Sequence, residues 1–107
     1  MLRRRGKRRF PTGANPAYLE WIRGFPCVVP HRCTGPVDPH HVRTRGAGGG
    51  DVGNVVPLCR SAHTELHAVG RHTFAQRYGV DLIVRARDVG ERWVAQSAQQ
   101  APLKGVT

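Results

Sequence analysis

The sequence predicts a small α+β domain, and three observations carry that expectation. The apolar run Val55-Val56-Pro57-Leu58 reads as a short strand and leads into a helical stretch from about Cys59 to Val69. Apolar residues recur at helical spacing on either side, as Tyr18, Trp21 and Ile22 and again as Leu82, Val89 and Trp93. Gly (13) and Pro (8) make up about a fifth of the 107 residues, so the elements must be short and the loops many.

Each element has a local reason. Asn15-Pro16 opens the first helix, with Asn15 as N-cap and Pro16 at the first helical position, where no amide hydrogen is needed. Gly24 and Pro26 end it. From Cys27 to Thr44 the chain predicts short strands, interrupted by Pro30, Gly35, Pro36 and Pro39. Gly46 to Gly53 reads as a flexible loop and lacks the Gly-Lys-Ser/Thr continuation of a P-loop. Gly70 caps the Cys59–Val69 helix, and Thr73 to Tyr78 predicts another helix with Phe74 and Tyr78 on one face. Asp81 to Gln96 predicts a further helix carrying Leu82, Val89 and Trp93 inward, with the β-branched Ile83 and Val84 weakening the pattern. The organisation expected is a disordered basic arm at 1–13, one folded domain at 14–96 and a flexible tail at 97–107. A core this small is thin, and a bound metal can supply stability that it cannot.

Charge narrows the function. Seventeen Lys and Arg against seven Asp and Glu leave a formal +10, a field that favours a polyanionic partner. Arg3, Arg4, Arg5, Lys7, Arg8 and Arg9 crowd the N-terminus and suit phosphate contact without base selectivity. No apolar stretch approaches the ~18 residues of a membrane span, and no apolar segment follows the basic start as in a secretory signal. The expected setting is cytoplasmic, with no membrane partner. Three cysteines, an odd number without an export signal, read as metal thiolates or free thiols rather than disulfides.

The histidines carry the chemistry. His63 and His67 are four apart on a helix, so their rings share a face and can converge on one ion. His40 and His41 adjoin on a strand and point to opposite faces. One can therefore complete the ligand set while the other acts as a neutral base toward substrate. Such a set suits Zn²⁺, Mn²⁺, Ni²⁺ or Mg²⁺. The order His63-Thr64-Glu65-Leu66-His67 is not the metalloprotease His-Glu-x-x-His, and His31 and His72 read as ordinary histidines.

The run His40-His41, Asn54, Leu58-Cys59 and His63-x-x-x-His67 resembles the signature of the HNH endonuclease superfamily. The wider stretch, from Tyr18-Leu-Glu-Trp-Ile-Arg through Asp38-Pro-His-His-Val-Arg43 to Pro57-Leu-Cys and Gly70-Arg71, resembles small phage and prophage members over roughly residues 16 to 82. The resemblance implies a small ββα-metal (His-Me finger) domain braced by short helices. It implies metal-dependent hydrolysis of DNA phosphodiester bonds, nicking or cutting both strands, with 5′-phosphate and 3′-hydroxyl products. By the same resemblance His40, His63 and His67 hold one divalent ion, His41 activates water, and Asn54 pins the loop beside it. Arg43, two residues past the base, is placed to hold the same phosphate. Many members also bind a structural zinc. Here Cys27, Cys33 and Cys59 supply three ligands, Ala62 stands where related sequences commonly carry histidine, and His31 is the nearby candidate for the fourth.

DNA is the expected partner ahead of RNA, with low or partner-supplied sequence specificity. Members also serve in phage packaging and recombination, so partners of that kind, in a phage or prophage setting, stay open together with the oligomeric state. The rival expectation is a zinc-stabilised nucleic-acid-binding module without catalysis.

Overall fold

A computed structural model describes residues 10–29, 33–44 and 49–106, with the backbone alone for 99–106. The described residues form a small α+β fold: one two-stranded antiparallel sheet and four helices, in the order α1 (Pro16–Ile22), β1 (Val37–His41), β2 (Val55–Cys59), α2 (Arg60–Val69), α3 (Arg71–Tyr78) and α4 (Leu82–Val106).

The sheet is short because both strands contain proline, and its register removes the cost. Pro39 faces Pro57, with His40 opposite Val56 and His41 opposite Val55. The Pro57 carbonyl turns outward to accept the Val28 amide at 3.0 Å, so the two prolines face each other where neither strand needs a donor from its partner. β2 is buried along its whole length and divides the core. Val56 and Leu58 pack with Leu66, Phe74, Leu82 and Ala86, whereas Val55 packs on the other side with Tyr18, Ile22, Val52 and Val89. That split is the two-residue alternation of a strand buried on both faces.

The helices are anchored as their sequences dictate. The Asn15 side chain accepts the Tyr18 amide at 3.0 Å and caps α1. Cys59 closes β2, and its sulfur accepts the Ala62 amide at 3.4 Å, so α2 follows the sheet without a loop. Gly70 separates α2 from α3 at φ +90°. α3 begins at Arg71, two residues before the Thr73 start expected. The Asp81 side chain accepts the Ile83 and Val84 amides at 3.0 and 3.2 Å, so a cap decides the helix that β-branched residues left open. Leu82, Ala86 and Val89 are buried and Trp93 half-buried, one stripe at helical spacing, while Ile83 and Val84 face solvent.

Two expected boundaries are corrected. Residues 97–106, expected as a flexible tail, continue α4, which runs on through Pro102 to Val106. At the other end, Phe10 packs against the cluster around Tyr18, and the Gly13 carbonyl accepts the Asp51 amide at 3.1 Å, so residues 10–13 belong to the domain. The Phe10 ring lies on Gly53, at φ +80°, where an added Cβ would overlap it. The basic residues Arg3, Arg4, Arg5, Lys7, Arg8 and Arg9 lie outside the described residues. Among the described residues no helix is long and apolar enough to cross a membrane.

Candidate metal centres

β1 and α2 bring three imidazoles together. His40 Nδ1 lies 3.2 Å from His63 Nε2, and His67 Nε2 lies 3.2 Å from the same atom. All three nitrogens fall within 4.8 Å of one another, a grouping that could hold a metal ion. His63 and His67 stand one turn apart on α2, and β1 runs beside that turn, which puts His40 opposite them. Burial, ahead of the neighbouring imidazoles, brings His40 down to about 4 from the usual histidine range, so it is held as a neutral ring with a lone pair to offer.

A carboxylate stands behind the cluster. Asp38 Oδ2 lies 3.1 Å from His63 Nδ1, the ring nitrogen facing away from His40 and His67. Arg60 grips the same carboxylate with two bonds, at 2.7 and 3.0 Å. Those bonds, ahead of the contact with His63, hold Asp38 down at about 2. An acceptor-only carboxylate fixes the His63 proton on Nδ1 and leaves Nε2 as the ligand atom, the arrangement common behind metal-bound histidines. The residues present therefore fit a divalent ion by donor type, spacing and tautomer.

His41 is turned elsewhere. Its Nε2 lies 2.7 Å from Oδ1 of Asp51, a fully buried carboxylate in the loop before β2. Asn54 ties that loop to the end of β1: its Oδ1 accepts the Arg43 amide at 3.0 Å, and its Nδ2 donates to the Arg43 and Gly50 carbonyls, both at 2.8 Å. Arg43 itself is exposed.

The three cysteines form a second grouping. Cys27, half-buried, Cys33, exposed, and Cys59, buried, also bring their ligand atoms within 4.8 Å. Burial works to raise Cys59, but Ser61, Cys33 and the Ala62 and Thr34 amides bring it down to about 6. Cys33, by its bond with Cys59 first, then by burial and then by Cys27, is pushed up to about 12, so the trio favours one thiolate and resists a second. A cation relieves that conflict, and a thiolate set suits a soft ion such as zinc. The side chain of Ala62 is fully buried and offers no ligand atom. His31, the candidate fourth ligand, lies outside the described residues.

Asp38 and Asp51 had no role in the sequence reading. A signal existed for Asp38, because it sits two residues before His40 on one strand and shares its face. None existed for Asp51, which reaches His41 only through the folding of a glycine-rich loop.

The chain belongs to the family described as "Protein of unknown function (DUF968)", whose profile matches residues 2–92. It is 38% identical over 78 residues to "Uncharacterized protein YdfU" of Escherichia coli (strain K12), an alignment covering 66% of this chain. The chain spans 21% of that relative's length. No solved structure matches.

Proposed function

We propose that this chain is a metal-dependent DNA endonuclease of the HNH type, with β1, β2 and α2 as its ββα-metal unit. One observation carries the reading. Three histidine nitrogens converge within 4.8 Å, while the adjacent His41 is turned out of the cluster and held by a different residue. That is the division between ligand and base that hydrolysis of a phosphodiester requires.

His40, His63 and His67 hold the ion, and His41 faces the substrate as a neutral base. A divalent ion held there supplies Lewis-acid charge to the scissile phosphate and the departing 3′ oxygen. His41 takes a proton from a water as the water oxygen bonds to phosphorus. The bond from phosphorus to the 3′ oxygen breaks, leaving a 5′-phosphate, and the 3′ oxygen takes a proton from solvent. Asn54 keeps the loop beside His41 in register with the strand end, and Arg43 is the cation placed for the phosphate. The +10 charge favours DNA and supports phosphate contact by the basic arm. Cys27, Cys33 and Cys59 are assigned to a structural zinc. The setting proposed is the bacterial cytoplasm, as a phage or prophage function.

A second reading, a zinc-stabilised nucleic-acid-binding module without catalysis, is favoured by the buried Ala62 at a position suited to a ligand. The test is nicking of supercoiled plasmid by wild type and His41→Ala at ~100 mM salt, with EDTA, Mg²⁺, Mn²⁺, Ni²⁺ or Zn²⁺. Metal-dependent nicking that disappears in His41→Ala upholds the nuclease. Plasmid that shifts on a gel but stays supercoiled with every ion selects the binding module.

A further inference from the structure

We propose that Asp51 is the positioning residue for His41: it holds the ring as the Nε2–H tautomer and so assigns Nδ1 as the atom that takes the proton from water. The base role rests on the nuclease reading above; the tautomer does not.

The argument begins with burial. Asp51 is 0% exposed, and a carboxylate so placed must find hydrogen-bond donors. Its Oδ2 accepts the Asn15 amide at 2.6 Å, and its Oδ1 lies 2.7 Å from His41 Nε2. Oδ2 is thus an acceptor, and with the carboxylate in its ordinary ionised form Oδ1 has no hydrogen to give. The proton in the short contact belongs to Nε2, and the remaining lone pair of a neutral imidazole sits on Nδ1.

The carboxylate is also rigidly placed. The Asp51 amide donates to the Gly13 carbonyl, and its carbonyl accepts the Asn54 amide, each at 3.1 Å. On the other side, the Val42 amide donates to the Asn54 carbonyl at 2.8 Å, fixing the strand end that bears His41. With Asn54 tying loop to strand, ring and carboxylate are parts of one frame. His41 stays 27% exposed, so the ring is gripped at one nitrogen and remains reachable. A buried acid that fixes the tautomer of a catalytic imidazole contributes on the order of 10⁴-fold to rate in the serine-protease triad, where its amide analogue imposes the wrong tautomer.

The test uses long-range ¹H–¹⁵N spectra of histidine-labelled, zinc-loaded protein at about pH 8, above the ordinary histidine value of about 6.5. His41 is assigned by the loss of its signals in His41→Gln. Wild type is expected to carry the proton on Nε2. In Asp51→Asn, whose amide can donate to Nε2, the proton is expected on Nδ1. The kcat for plasmid nicking then falls on the order of 10²–10⁴-fold, with KM and Mn²⁺ affinity unchanged within about twofold. A wild-type proton on Nδ1 overturns the proposal without any variant, so it remains decidable if Asp51→Asn fails to fold. Wild-type kcat in Asp51→Asn, or a rise in KM alone, overturns it too. A wild type inert with every ion overturns the nuclease reading and the base role with it, while the spectrum still upholds or overturns the hold of Asp51 on the ring.

Discussion

The histidine and cysteine clusters share one strand-to-helix junction but are built from different kinds of chain. His40, His63 and His67 all ride on regular elements, β1 and α2, whose backbone bonds place the rings before any ion arrives. Of the cysteines, only Cys59 sits on such an element, and Cys27 and Cys33 lie in the irregular segment between α1 and β1. Ordering a residue of irregular chain costs about 1–2 kcal/mol, which a thin core repays poorly. The histidine cluster is therefore set by the backbone of two regular elements, whereas the cysteine cluster, under the zinc assignment proposed, would draw its order from a bound ion.

The largest effect expected from that contrast is on folding. Stripping the protein with a strong chelator, or replacing Cys59 with Ala, should abolish the cooperative melt followed by circular dichroism. Zinc contributes about 10–16 kcal/mol to small finger peptides that fold around it. A melting temperature unchanged within about 2 °C would leave the cysteines as ordinary packing groups.

Next comes His67→Ala, at an exposed position. Stability should stay within about 0.5 kcal/mol, while plasmid nicking and calorimetric Mn²⁺ binding are lost. Unfolding by this variant would mean that the histidine centre, too, is structural.

Asp38→Asn probes the carboxylate behind His63. Metal affinity at the histidine centre should weaken about 10–100-fold, read by competition with a chelating dye. Loss of the exposed Arg60 pair adds little, so an unfolded Asp38→Asn would contradict this division of roles.

Asn54→Ala removes three bonds across the loop and should cost about 1–3 kcal/mol in urea unfolding, at about 1 kcal/mol per bond. Smallest is Arg43→Ala, for which the salt dependence of DNA binding should lose about one phosphate contact and the melt should not move. An unchanged salt slope would remove Arg43 from the phosphate site.

Much of the site was legible in one dimension. A spacing of four put His63 and His67 on one helix face, and adjacency on a strand sent His40 and His41 to opposite sides. The α4 boundary was less so, because Ile83 and Val84 weaken the helical pattern until the Asp81 cap is seen. The length of α4 beyond Gln96 was misjudged because polar alanine- and glutamine-rich sequence has no apolar stripe to announce a helix.

The sequence by itself determined the element order, the α+β class and the sharing of a face by His63 and His67. These follow from local periodicity, capping and turn chemistry, which act within a few residues. Only the tertiary structure decided that Asp51 lies beneath His41, that Asp38 and Arg60 stand behind His63, and that Ala62 is buried at the junction. Those contacts join residues 10 to 25 positions apart through loops, and no spacing rule foresees where a loop will set a side chain down.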